Sequence, residues 1–279
     1  MRRFVTLILV STFAGLGARV SPVAAQNAVT TTDSSEEDLI NADRPGIADG
    51  SRTLDARQAQ LEIGAQHERH VDADGRERLL FFPTLLRYGM TGRVEARVES
   101  GTLNHAHVTA PDGSTESSTG VAPVLLGGKV LLYDSHGDRR RSLGTIVRVA
   151  PPSGSGDFRT SHTTGDVRLA GDWDFAPHLS LNPNVGAAHY EGSGGDTYDA
   201  ALGALTLTYS PNERVLPFVD AAYQSRDDDS GGTWSLVVDT GVAWIVGRDV
   251  QLDLSAGSGA HGSSPPKPFI AAGISVRAR

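Results

Sequence analysis

The chain has no cysteine. An exported protein without cysteine has no disulfide frame, so hydrogen bonds and burial must hold it. It also lacks long apolar runs. Beyond the first 25 residues no stretch approaches ~18 continuous apolar residues, which excludes helical membrane spans. Basic residues are too few to balance the acids: 25 Lys and Arg stand against 33 Asp and Glu, a net charge of −8. A nucleic-acid partner, which selects a basic surface, is therefore not expected. Aromatics are sparse at 6%, while glycine is abundant at 32 residues, as many strands joined by turns require.

What is present begins with a targeting signal. Arg2 and Arg3 precede an apolar run over 4–15, and Val23-Ala24-Ala25 ends the segment. A basic start, an apolar centre and a small-x-small site describe a secretory signal peptide, 1–25, cleaved after Ala25. The run is too short for a spanning helix of ~20 residues, and Arg19 interrupts it. Cleavage removes Arg2, Arg3 and Arg19 with no acid, leaving 254 residues at −11.

From about residue 57 one rhythm repeats: amphipathic strand, short turn, strand, long polar loop. Twelve strands are expected. Short connections fall at 90–92, 135–138, 176–178, 210–213 and 247–249. Long ones lie near 70–78, 101–119, 152–164, 192–197, 226–232 and 258–267. Once helices are excluded, only a closed barrel satisfies every backbone group in lipid. An antiparallel up-and-down transmembrane β-barrel has an even strand count, tight periplasmic turns and long outer loops. The fold class is therefore all-β. Residues 26–40 are polar and acidic without period, and 41–56 carry turn chemistry. The segment 26–56 is accordingly expected to be a flexible periplasmic lead-in to a barrel over 57–279.

Alternation supports the barrel, because lipid-facing and lumen-facing residues must alternate along each strand. Val167, Leu169, Trp173 and Phe175 share one parity; Asp166, Arg168, Asp172 and Asp174 share the other. Val94, Ala96 and Val98 oppose Arg93, Glu95, Arg97 and Glu99. Two strands do not obey. Residues 79–88 and 121–133 are apolar on both parities, which suits a plug, a constriction, an apolar lumen patch or a soluble sandwich.

Interface aromatics are expected at Trp173, Phe175, Tyr209, Tyr223, Trp234 and Trp244, whereas Tyr190 has the wrong parity. Trp234 and Trp244 lie ten residues apart; at ~3.4 Å per residue and ~40° tilt they bracket roughly 25 Å, the height of the apolar band. The inward, lumen-lining candidates are Glu62, Arg87, Arg93, Glu95, Arg97, Glu99, Arg148, Asp166, Arg168, Asp172, Asp174, Asp220, Asp239, Asp253 and Arg277. Charged rings of opposite sign shape which solutes pass a pore. Cross-strand ion pairs can equally fill and seal a small barrel.

Catalytic patterns are scarce. His67, His70, His105, His107, His136, His162, His178, His189 and His261 are scattered, without a metal-ligand frame. Asp227-Asp228-Asp229 could offer oxygens to calcium, but a run of acids in a surface loop is ordinary solvated charge. No catalytic residue, metal or cofactor is expected.

Asp43-Arg44-Pro45-Gly46, Gly50-Ser51-Arg52-Thr53-Leu54, Gln60-Leu61-Glu62-Ile63-Gly64 and 83–89, Pro-Thr-Leu-Leu-Arg-Tyr-Gly, form a recognisable set. It resembles that of transporters of the "MetA-pathway of phenol degradation" family, outer-membrane barrels of Gram-negative bacteria. The resemblance implies an outer-membrane channel for small solutes, aromatic or apolar compounds among them, with Glu62 and Arg87 as characteristic positions of unassigned role. The expected partners are outer-membrane lipid and lipopolysaccharide, a small-molecule solute and the barrel-assembly machinery. Barrels of this kind finish on an aromatic residue, whereas this chain ends Val276-Arg277-Ala278-Arg279. Two other readings stay open: a barrel enzyme acting on lipid or peptide, and a soluble periplasmic ligand-binding β-protein.

Overall fold

The structure is a computed structural model that describes residues 39–72, 75–135, 140–192, 194–226, 233–261 and 268–279. The signal peptide 1–25, residues 26–38, His136 and the acidic run at 227–229 lie outside the described residues.

Thirteen strands are formed: β1 (Ala59–Asp72), β2 (Gly75–Thr91), β3 (Val94–Thr109), β4 (Thr115–Gly120), β5 (Leu125–Asp134), β6 (Arg141–Ala150), β7 (Thr164–Ala176), β8 (Leu179–Glu191), β9 (Thr197–Tyr209), β10 (Val215–Arg226), β11 (Thr233–Gly247), β12 (Val250–His261) and β13 (Phe269–Ala278). Twelve of them close an antiparallel barrel. Each wall strand pairs with its neighbours in sequence, and β1 pairs with β13 from Ala59↔Ala278 to Glu68↔Phe269. The exception, β4, pairs only with the outer half of β3. The lower half of β3 pairs with β5.

The connections at one end are short: 92–93, 135–140, 177–178, 210–214 and 248–249. The opposite end carries 110–124, 151–163, 192–196, 227–232 and 262–268. Two expected loops turn out otherwise. The stretch 101–119 is mostly strand, because β3 runs on to Thr109 and folds back as β4. The loop expected near 70–78 shrinks to 73–74 between the long strands β1 and β2.

Burial is inverted relative to a water-soluble protein. Outward positions such as Leu86, Leu126, Val147, Val185, Leu254 and Ile270 are exposed, while the largest fully buried side chains include Arg87, Arg97, Arg148 and Lys129. An apolar belt of this extent facing outward needs lipid, since contiguous exposed apolar patches are rare on soluble monomers. The expected interface aromatics face outward: Trp173, Tyr209, Tyr223, Trp234 and Trp244 are exposed and Phe175 is half-buried. Tyr223 packs on Trp234, and Trp234 stacks on His261 with centroids 3.8 Å apart. At the other rim the Arg141 guanidinium lies 5.3 Å from the Trp173 ring. Tyr190 is buried inside, edge-on to Tyr198, as its parity requires.

The two irregular strands have a physical cause. In β2 the pairing slips between Phe81 and Pro83, where proline cannot donate to the ladder. Leu79 and Phe81 point inward and join Ala106 and Phe158 in an apolar lumen cluster. Phe158 arrives from a 3₁₀ turn, Gly156–Phe158, in the β6–β7 connection. In β5 a slip between Leu131 and Tyr133 leaves Leu132 and Tyr133 both exposed. Such a bulge places two residues opposite one and breaks the alternation.

The segment 39–56 departs most from expectation. It lies inside the barrel as a plug: Ile40, Ala42, Asp43, Asp49, Ser51 and Leu54 are all buried. It is neither on the periplasmic outside nor loose. The wall makes room with inward glycines. Gly64 and Gly273 are cross-strand partners, and a Cβ on either would fall on the Arg44 guanidinium. At Gly89 a Cβ would fall on the main-chain oxygen of Asp55, an atom that cannot swing away. Gly89→Ala is therefore expected to unseat the plug while leaving the barrel folded. Limited trypsinolysis in detergent should show faster cleavage after Arg52, with heat-modifiable gel migration retained; unchanged cleavage would contradict the packing described.

Candidate functional site: the plugged lumen

The plug is irregular backbone at membrane depth. Its polar groups need partners, because an unpaired buried N–H or C=O is costly. The wall supplies them. Glu62 accepts from the Asp43 and Arg44 amides at 3.0 and 2.9 Å. Asp220 accepts from Ile47 N at 2.7 Å, Asp172 from Ser51 N at 3.0 Å and Glu95 from Leu54 N at 3.0 Å. The Asn184 side chain holds both main-chain groups of Asp49, at 2.9 and 2.8 Å. Gln60 donates to Asn41 O and Gln251 to Arg44 O. Four of these acceptors, Glu62, Glu95, Asp172 and Asp220, are carboxylates, and hydrogen bonds to ionised groups are about twice as strong as neutral ones.

Charge joins the same partners. Asp43 sits among Arg87 (3.2 Å), Lys129 (3.0 Å) and Arg97. Asp49 meets Arg148 at 3.1 Å, Arg168 at 3.4 Å and Arg97 at 3.5 Å. Arg44 grips Asp253 through Nε at 3.2 Å and Nη2 at 2.9 Å. Within the wall, Arg87 bonds Glu95 and Glu62, Arg97 bonds Glu99, and Arg148 bonds Glu99 and Asp166. Burial alone would raise the Asp43 carboxyl, but Arg87, Lys129 and Arg97 outweigh it and hold the group well below the usual carboxylate range.

Every lumen-lining candidate is buried except one: Glu62, Arg87, Glu95, Arg97, Glu99, Arg148, Asp166, Arg168, Asp172, Asp174, Asp220, Asp239, Asp253 and Arg277 face inward. The exception is Arg93. It lies at the short turn between β2 and β3 and is exposed, because β3 begins only at Val94. Arg277 sits at the short-turn rim and reaches Asp249 at 2.9 Å and Leu39 O at 3.3 Å. Sequence reasoning missed Asp43, Arg44, Asp49 and Lys129. Lys129 shares its inward parity with Leu125 and Leu131, and the surrounding apolar run hid it.

Above the plug a cavity of about 180 Å³ remains, lined by Arg44–Ile47 from the plug. Its walls include Glu68, Tyr190, Leu202, Ala204, Ala222, Asp239, Phe269 and Ala271. Asp220 and Asp239 face each other across β10 and β11, the latter at the cavity wall. Among the described residues the histidines join no group that could hold a metal ion. His189 bonds Asp199 at 2.7 Å on the exposed outward face, and His162 stands 3.4 Å from Glu191.

A closed twelve-stranded barrel with an apolar outer belt, a charged lumen and an inserted N-terminal segment is an outer-membrane-type barrel. Residues 42–278 match the family described as "Putative MetA-pathway of phenol degradation", and the chain belongs to that family. Among solved structures it is similar to the COG4313 outer membrane channel from Pseudomonas putida F1, at 13% identity and a TM-score of 0.64, covering 82% of this chain and 98% of that one. It is also similar to the β domain of the Bordetella autotransporter BrkA, at 15% identity and a TM-score of 0.52, covering 80% and 99%. A search of curated protein sequences finds no match.

Asp43→Ala should leave Arg87, Arg97 and Lys129 facing one another without their shared anion. Breaking a buried pair from one side costs about 3–5 kcal/mol, so the midpoint of barrel unfolding in urea should fall. A carboxyl held low contributes stability that is fully present above its unfolded value of ~3.9 and is lost as pH falls through its folded value. The difference in urea midpoint between the wild type and Asp43→Ala should accordingly stay level from pH 7 to pH 5. A difference that shrinks within that window would contradict the Asp43 anchorage.

Proposed function

We propose that the protein is an outer-membrane channel for small solutes, aromatic or apolar compounds among them, and not an enzyme. The observation that carries this reading is the cavity above the plug. It joins aliphatic and aromatic walls to a few polar groups, the usual make-up of a small-molecule site. The charges below it are spent on the plug and on one another, so the free lumen is less polar than the inward residues alone suggest. The Leu79, Phe81, Ala106 and Phe158 cluster adds an apolar surface inside the barrel. A soluble protein would not present the exposed Leu, Val and Trp belt to water.

In this reading the chain is exported after cleavage at Ala25 and inserted by the barrel-assembly machinery of a Gram-negative outer membrane. The short turns and both chain ends then face the periplasm, and the long connections face outward. The lining acids and bases act first as the seat of the plug and only second as a filter for solutes.

Cells expressing the chain should accumulate a labelled phenolic compound faster than cells without it, and the protein should fractionate with the outer membrane. In planar bilayers the intact protein should give a small conductance, and a form lacking 39–56 should give one several-fold larger. Equal conductance of the two forms would mean that the plug does not obstruct the path. Release in the periplasmic fraction without detergent would sink the channel reading.

A further inference from the structure

Outward positions at the long-loop ends of β1, β2 and β3 carry an unusual set of side chains. Arg69, Arg78 and His107 are aligned across the three strands, and so are His67, Leu80 and His105 one row below. Arg76 lies one row above, opposite Thr109. Arg69, Arg76, Arg78, His67 and His105 are exposed. Among the described residues none of the three arginine side chains makes an ion pair. Two described acids beside these rows, Glu68 and Glu77, point inward and are buried. His105 and His107 are steadied by Nδ1 contacts to Thr119 Oγ1 at 2.9 Å and Ser117 Oγ at 2.7 Å, both on β4. The β3–β4 hairpin thus serves to hold part of this basic face in place.

Its height is set by the strand itself. Arg78 lies ten residues above outward Tyr88, which at ~3.4 Å per residue and ~40° of tilt is roughly 25 Å, the full apolar band. The basic rows therefore begin where the apolar belt ends, directly above outward Leu80, Phe82 and Leu103. Elsewhere on that rim the described outward residues are of another kind: Trp234 stacked on His261, Tyr223, and the His189–Asp199 pair.

We propose that this face is a binding site for the phosphate groups of lipopolysaccharide, with Arg69 and Arg78 as the principal phosphate donors and Leu80, Phe82 and Leu103 beneath the acyl chains. Charge complementarity carries the choice. A chain of net charge −8 concentrates guanidinium groups, without an ion pair among the described residues, at the level of a phosphorylated headgroup, and guanidinium matches phosphate with two parallel hydrogen bonds. The inference rests on the outer-membrane reading with the long connections outside.

The test is lipid A binding by the purified full-length protein in detergent, followed by native mass spectrometry and titration. Bis-phosphorylated lipid A should bind, and phosphatase-treated lipid A should bind at least about tenfold more weakly. The double variant Arg69→Ala, Arg78→Ala should lose a similar factor, while Arg141→Ala at the opposite rim should bind as the wild type does. Equal binding of the two lipids, or by the double variant, would overturn the site. The wild-type comparison of the two lipids needs no variant to fold. Outer-membrane fractionation is measured separately, so a protein that reaches the membrane but ignores the phosphates refutes the site alone.

Discussion

The structure depends on one contact: the Asp43 carboxylate held between Arg87, Arg97 and Lys129. Three cations inside a barrel repel one another and lose hydration. Glu62, Glu95 and Glu99 of the wall offset part of that charge, and the plug delivers the one anion that all three cations share. Asp49 repeats the arrangement with Arg148, Arg168 and Arg97. The reverse holds for the wall acids Glu62, Glu95, Asp172 and Asp220, which receive amides from the plug. Each partner leaves the other incompletely satisfied when it departs. The energetic weight of such pairs lies in what their loss exposes, since a buried pair adds little net stability but a broken one is strongly unfavourable.

This explains why the lumen is charged without being an open, solvated pore. Charged rings read in isolation suggest a filter for ions. Here most of them form a bed for irregular backbone, and the space left above that bed is lined by Leu202, Ala204, Phe269 and Tyr190 together with Glu68, Arg168 and Asp239. Solute preference in the proposed channel would therefore follow the cavity walls more than the ion pairs.

Much of the architecture was legible in the chain. Alternation in β3 and β7 identified the two faces, and the even strand count followed from alternating connection lengths. Every inward candidate but Arg93 is buried; Arg93 is exposed because one residue of register decides whether a side chain enters the lumen or ends in a turn. The plug was not legible. It has no period, its Asp and Gly residues read as turn chemistry, and its burial is decided by wall residues far away in sequence, 209 positions between Arg44 and Asp253. One hint was available: the surplus of inward Arg and Glu in β2, β3 and β6 called for partners, and Asp43, Arg44 and Asp49 were the nearest unassigned charges. Lys129 was hidden for a different reason, the run of apolar residues around it on both parities of β5.

The seam between β1 and β13 has one more consequence. The plug ends at about residue 56, and β1 begins at Ala59, whose partner is Ala278 near the other end of the chain. The strand that shuts the cylinder is thus tethered within three residues to the segment that fills it. Zipping the seam therefore holds that segment at the mouth of the lumen, and the tether keeps the plug beside its seat even when the contacts that bind it there are broken.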